Sequence, residues 1–195
     1  MLVVLITTGD QGESNGLGRQ QAENFRQLGW TNKLVESQLE WIRHELSAAD
    51  TEYVFVAGHN PTSLSVAESA MDKYQNVKAL DDIFRQARIT AYLYGHMHEA
   101  SFSLSPEGVA YILSGNAHRV DKHHQENVSK KTLMYNTAET GFVQGVFSPD
   151  GFQAEFINGK GVIYYKSPML KPRTMISSQS EKSSQMNPGK RKRIS

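Results

Sequence analysis

Three of the seven histidines stand in two short segments, Gly58-His59-Asn60-Pro61 and Gly95-His96-Met97-His98. Each follows directly on an apolar run, Tyr53-Val54-Phe55-Val56-Ala57 in one case and Ala91-Tyr92-Leu93-Tyr94 in the other. Imidazole is the commonest protein ligand for transition metals. A glycine ahead of it lets the backbone turn sharply and come close to a bound group. His96 and His98 are two residues apart, which on a helix separates them by about 200° and on an extended segment puts them on one side. The extended form lets both face a single centre while Met97 turns into packing. A di- or trivalent transition metal is the natural occupant of such a site, with His59, His96 and His98 as its ligands.

Other candidate groups carry less. Asn116-Ala117-His118-Arg119-Val120-Asp121-Lys122-His123-His124 is a second histidine-rich stretch. Its mixed charge and poor periodicity predict a solvent-exposed loop near the mouth of the site. His44 sits among polar residues and is expected at the surface. Ser65, Ser69 and Ser114 lie in no nucleophile elbow, so a serine hydrolase finds little support. Gly9, Gly12, Gly16 and Gly18 are loosely spaced and lack the following Lys-Ser or Lys-Thr of a phosphate loop. The absence of cysteine excludes disulfides, thiolate metal sites and a cysteine nucleophile.

The elements that must position the histidines follow from pattern. Residues 2–8 read as a core strand and residues 9–29 as a long polar loop. Val35, Leu39, Ile42 and Leu46 recur at helical steps, which predicts a helix over 32–48 with Thr31 as its N-cap. A strand at 53–57 leads into the His59 loop. Val77, Leu80, Phe84 and Ala87 predict a second helix over about 75–87, and a strand at 89–94 leads into Gly95-His96. Beyond it, Ser105-Pro106-Glu107-Gly108 joins segments 101–105 and 108–113. Pro149-Asp150-Gly151 joins 141–148 and 151–157, and Asn158-Gly159 leads into 161–166, all hairpin signals. Two strand–helix repeats followed by an antiparallel, meander-like half predict a layered α/β fold with its helices outside a sheet.

A length of 195 residues suits one domain. With 21 basic and 20 acidic residues the chain has no global field that selects nucleic acid or a membrane surface. No stretch approaches the ~20 apolar residues of a membrane span, and the apolar start at residues 1–6 is too short for a signal peptide. The domain is expected over 1–173. From 174 to 195 the composition is Ser/Gln/Lys-rich and ends in Lys190-Arg191-Lys192-Arg193, which predicts a solvated basic tail. A nuclear localisation signal is the alternative reading of that run.

The two Gly-His segments, in their settings Val56-Ala57-Gly58-His59-Asn60-Pro61 and Thr90-Ala91-Tyr92-Leu93-Tyr94-Gly95-His96-Met97-His98, closely resemble the last two metal-binding motifs of the calcineurin-like metallophosphoesterases. Within them the chain looks like the purple, or tartrate-resistant, acid phosphatases. Ser37-Gln38-Leu39-Glu40-Trp41-Ile42, Gly108–Gly115 and Gly141-Phe142-Val143 extend the likeness, which runs from about residue 2 to 173. The resemblance implies part of a four-layer α/β/β/α sandwich and hydrolysis of phosphomonoesters by a hydroxide generated at two metal ions, iron with iron, zinc or manganese. His59 and His96 would then bind the second metal and His98 the first. Relatives of this kind are often secretory or lysosomal.

The family's earlier motifs are Asp-x-His, Gly-Asp-x-x-Asp (or -Tyr) and Gly-Asn-His. They supply the bridging carboxylate, the remaining oxygen ligands and a catalytic histidine. None stands ahead of His59, and the nearest approach, Gly9-Asp10, has Glu13 where Asp or Tyr is needed. Two cations a few ångströms apart repel strongly without a carboxylate between them. The expectation is a sandwich with its N-terminal half missing, holding at most one metal and inactive by itself. The competing reading is a non-catalytic remnant that binds a metal or phosphate, or that pairs with a partner chain completing the sandwich.

Overall fold

Alternation along the strands sorts the core into two apolar layers. The computed structural model describes residues 2–4, 32–62, 78–118, 120 and 133–173. Its strands are β1 (Leu2–Val4), β2 (Phe55–Ala57), β3 (Ala91–Tyr94), β4 (Ala100–Leu104), β5 (Ala110–Ser114), β6 (Leu133–Thr137), β7 (Gly141–Ser148), β8 (Gly151–Asn158) and β9 (Ile163–Lys166). Two helices, α1 (Asn32–Ala48) and α2 (Lys78–Ala87), lie between the first three strands in sequence. Val54, Val56, Tyr92, Tyr94, Tyr111 and Leu113 face the helices, packing with Ile42 and Leu46 of α1 and Leu80, Ile83 and Phe84 of α2. The opposite face presents Ala91, Phe102, Ala110 and Ile112 to Phe152, Ala154 and Phe156 of β8.

The larger sheet runs β1-β2-β3-β5-β4-β6, and the smaller one β7-β8-β9. β1, β2, β3 and β5 are parallel neighbours, with Val56 beside Tyr92 and Tyr92 beside Tyr111. β4 is antiparallel to both β5 and β6. The 101–105 and 108–113 segments therefore form the expected hairpin, but β5 inserts beside β3 and the unit joins the parallel sheet instead of opening a meander. The reason lies in the side chains. Tyr111, Ile112 and Leu113 are apolar to both faces and suit a central strand, whereas β4 alternates Ser101 and Ser103 with its apolar residues.

The described residues thus make three layers, helices on sheet on sheet, which is the mixed α/β architecture expected and three of the four layers of the α/β/β/α sandwich. Phe142, Val146 and Ile163, 49%, 38% and 40% exposed, lie on the uncovered face of the smaller sheet. Strands β7 and β8 match the sequence reading closely. β6 was not expected. The 9–29 loop, Thr31, residues 75–77, Ser65, Ser69, His123, His124 and the 174–195 tail lie outside the described residues. No helix among the described residues is long and apolar enough to cross a membrane.

Candidate metal centre

β2 and β3 are adjacent and parallel, so the loops that follow them emerge at the same sheet edge. Ala57 pairs with Leu93, and the chain beyond them reaches His59 and His96 in two and three residues. The Gly58 N–H donates to the Leu93 carbonyl at 2.9 Å and the Gly95 N–H to the His59 carbonyl at 3.1 Å, which laces the two loops together. His59 Nε2 and His96 Nδ1 then lie 3.4 Å apart, their rings at 89° to each other. That separation is long for an N–H···N bond. Two nitrogens bound tetrahedrally to one ion at 2.0–2.1 Å would be about 3.4 Å apart.

The turn at His96 departs from the extended form expected of it. The Met97 N–H donates to the Gly95 carbonyl at 2.8 Å, and His96 between them has φ +70°. This is the uncommon, strained γ-turn with positive φ at its centre. Residues 96–99 are a run of bends, so the same-side argument for positions i and i+2 does not apply. Met97 does turn into the core, at 3% exposure among the helix-facing residues. Among the described residues no three His, Asp or Glu side chains gather closely enough to hold one ion. The fold pairs His59 with His96. His98, two residues on, buries Nδ1 with no hydrogen-bond partner.

Several positioning residues were not legible as such in the sequence. The Tyr92 hydroxyl donates to the Asn60 carbonyl at 2.8 Å and lies against Gly58, where an added Cβ would stand 2.3 Å from the phenol oxygen. Gly115, at the end of β5, passes so near the His96–His98 turn that a Cβ would stand 1.8 Å from the Met97 carbonyl oxygen. Its N–H donates to the Glu99 carbonyl at 3.0 Å. Glu99 itself is wholly buried, and neither carboxyl oxygen completes a hydrogen bond. Burial pushes its pKa up to about 7, with the nearby Asn136 amide opposing the shift. Gly115 entered the sequence reading only as the end of the Gly108–Gly115 likeness, and no signal pointed to Glu99.

The second histidine-rich stretch divides. His118 is exposed as expected, but Asn116 is completely buried and donates to the Glu139 carbonyl. The rest of that stretch, from Asp121 to His124, lies outside the described residues. It includes Asp121-Lys122-His123, an Asp-x-His triplet that follows both Gly-His segments. His44 is exposed on α1, with Nδ1 3.6 Å from Glu45.

Comparison with known proteins gives the family. The family profile of calcineurin-like phosphoesterases matches residues 5–100, which span α1 to the His96–His98 turn. The chain belongs to the calcineurin-like phosphoesterases. Human tartrate-resistant acid phosphatase type 5 is 33% identical over 162 residues, covering 80% of this chain and 48% of its own length. The mouse protein is 31% identical over the same span. The chain spans about half the length of these curated relatives. Among solved structures, the purple acid phosphatase PPD1 of yellow lupin seeds superposes with a TM-score of 0.60 at 12% identity, over 90% of this chain and 32% of that one. GAP50, the anchor in the inner membrane complex of Plasmodium, gives 0.59 at 17% identity, over 73% of this chain and 44% of that one. Both likenesses concern the fold. In this chain the two Gly-His segments stand at the carboxyl ends of adjacent parallel strands, where open α/β sheets bind their ligands.

Proposed function

We propose that this chain carries the histidine portion of a metal-dependent phosphomonoester hydrolase site. The observation that supports this is the 3.4 Å approach of His59 Nε2 to His96 Nδ1 across two laced strand ends. His59 and His96 would hold one ion, and His98, whose buried Nδ1 lacks a partner, would serve the other ion of a dimetal centre. The membership in the calcineurin-like phosphoesterases and the likeness to acid phosphatases support phosphate esters as the substrate class. Metal ions in such a centre supply positive charge that stabilises the transferring phosphoryl group. The chain's own residues orient the ligands. Tyr92 fixes the His59 loop from below, Gly115 lets β5 support the His96 turn, and Met97 anchors that turn in the core.

The described residues fit one ion better than two. No carboxylate joins the histidines in a group of three, and a bridging anion is what two neighbouring cations require. That observation favours a second reading, a module that binds one metal without turning over phosphate esters by itself. Metal analysis after incubation with zinc or manganese, followed by p-nitrophenyl phosphate hydrolysis, separates the two. The hydrolase reading expects two equivalents of metal and turnover that is lost in His96→Ala. One equivalent, released by His59→Ala or His96→Ala and accompanied by no turnover, establishes the binding module. No bound metal in the parent chain overturns both.

A further inference from the structure

Among the described residues Glu99 is the most deeply enclosed carboxylate, at 0% exposure. It stands one residue ahead of β4, and its carbonyl is held by the Gly115 N–H at 3.0 Å. Neither carboxyl oxygen has a hydrogen-bond or ion-pair partner. Buried charges are ordinarily paired or bound to a metal, so this one calls for a physical reason.

The groups around it are oxygens. Asn136 of β6 stands beside the carboxyl, near enough to favour its charged form, and buries its own Oδ1 without a partner. Ser101 of β4 lies directly opposite Asn136 in the β4–β6 register, which puts the two side chains on one face about 5 Å apart. The Ser101 Oγ is also buried and unpartnered. Two strands and the turn before them thus bring four oxygens to one place on the sheet.

The occupant follows from enclosure and charge. Glu99 and Ser101 are already shut off from solvent within this chain, so only something of atomic size inside the fold can answer them. A water molecule donates two hydrogen bonds and leaves the negative charge uncompensated. A proton on the carboxyl supplies a single donor to a set rich in acceptors. A hard cation accepts from every oxygen at once and cancels the charge, and all-oxygen donor sets select such ions. One carboxylate among neutral oxygens matches one positive charge.

We propose that Glu99, Ser101 and Asn136 form an internal site for an alkali cation, with both Glu99 carboxyl oxygens, Asn136 Oδ1 and Ser101 Oγ as its protein ligands. The site uses none of the histidines. It braces the residue that joins His98 to β4, so the ion supports the end of that turn from within the sheet.

The test is urea unfolding of the full chain at constant ionic strength, with sodium or potassium chloride replacing choline chloride stepwise. An ion bound only by the folded state raises the unfolding midpoint. The parent midpoint should rise with one or both alkali ions, and the ion acting at lower concentration is the one the site prefers. Glu99→Gln, which keeps the shape and removes the charge, should show no rise. Ser101→Ala should need roughly threefold more ion, or beyond, for half the effect. Ser103→Ala, about 7 Å further along the strand, should respond as the parent does. Sodium-23 relaxation, enhanced by the folded parent and lost in urea, reads occupancy directly and carries the test if Glu99→Gln does not fold. Coincident parent midpoints in sodium, potassium and choline overturn the inference. So does a rise that persists in Glu99→Gln, or a folded parent that leaves sodium relaxation unchanged. These readouts use neither divalent metal nor phosphate ester, so they stand or fall apart from the hydrolase reading.

Discussion

The Tyr92 hydroxyl donates to the Asn60 carbonyl at 2.8 Å, binding the side chain of one strand to the loop that ends its neighbour. The same phenol packs on Gly58, and its ring stacks on Tyr94 with centroids 5.5 Å apart. Position and conformation of the His59 loop thus depend on a residue 33 places away in sequence, within the strand that also delivers His96.

Tyr92→Phe removes one buried hydrogen bond and leaves the Asn60 carbonyl unanswered. The expected cost is about 1–2 kcal/mol of stability, read from the midpoint of urea unfolding. Metal affinity should fall as well, because the His59 loop loses its anchor. An unchanged midpoint would show that water replaces the phenol without loss.

Gly115→Ala tests the other support. A methyl 1.8 Å from the Met97 carbonyl oxygen forces the His96–His98 turn away from β5. Overpacking of this kind costs about 1–3 kcal/mol, and the displaced turn should weaken zinc binding at least tenfold in calorimetric titration. Ser114→Ala, one residue earlier and exposed, should change neither.

Much of this arrangement was legible in the sequence because it is local. Pro149-Asp150-Gly151 marks the β7–β8 turn almost to the residue, and the periodic Leu39, Ile42 and Leu46 mark the buried face of α1. The pairing of His59 with His96 followed from two Gly-His segments behind two apolar runs. What stayed hidden was non-local. The apolar run in Ala110–Ser114 suits a central strand but does not name β3 as its neighbour, and β6 is a half-exposed edge strand with little alternation. The clashes that require glycine at 58 and 115 involve backbone and side chains far off in the chain.

Arg173 shows the same non-local logic at the helical end of the molecule. Its guanidinium donates to the Ala87 carbonyl at 2.8 Å and reaches the Ala49 carbonyl at 3.5 Å, while its N–H donates to the Glu52 carbonyl at 2.9 Å. Ala87 ends α2 and Ala49 follows α1, so one cation answers the carbonyl-rich ends of both helices. Burial lowers its pKa, with Arg88 adding to the effect, yet an arginine keeps its charge. Arg173→Met should cost about 2 kcal/mol, measured by chemical denaturation, with the loss centred on amide protection at the helix C-termini.

Glu155 makes stability depend on pH. On β8 it lies between its cross-strand neighbours, with Lys166 Nζ 2.6 Å from Oε1 and Gln144 Nε2 donating to Oε2 at 2.7 Å. The Lys166 hydrogen bond, then that of Gln144, holds the carboxyl below its ordinary range. A carboxyl depressed in the folded state stabilises the fold above its unfolded pKa, and loses that contribution as pH falls through the folded value. Glu155→Gln should therefore lower the neutral plateau and leave stability at acid pH nearly unchanged, so that the acid limb of the profile flattens. Urea midpoints at pH 7 and pH 3.5 decide it. An equal drop between those two conditions in parent and variant would remove Glu155 as the source of acid sensitivity. Lys166→Met should mimic the flattening, since it removes the partner that lowers the carboxyl most.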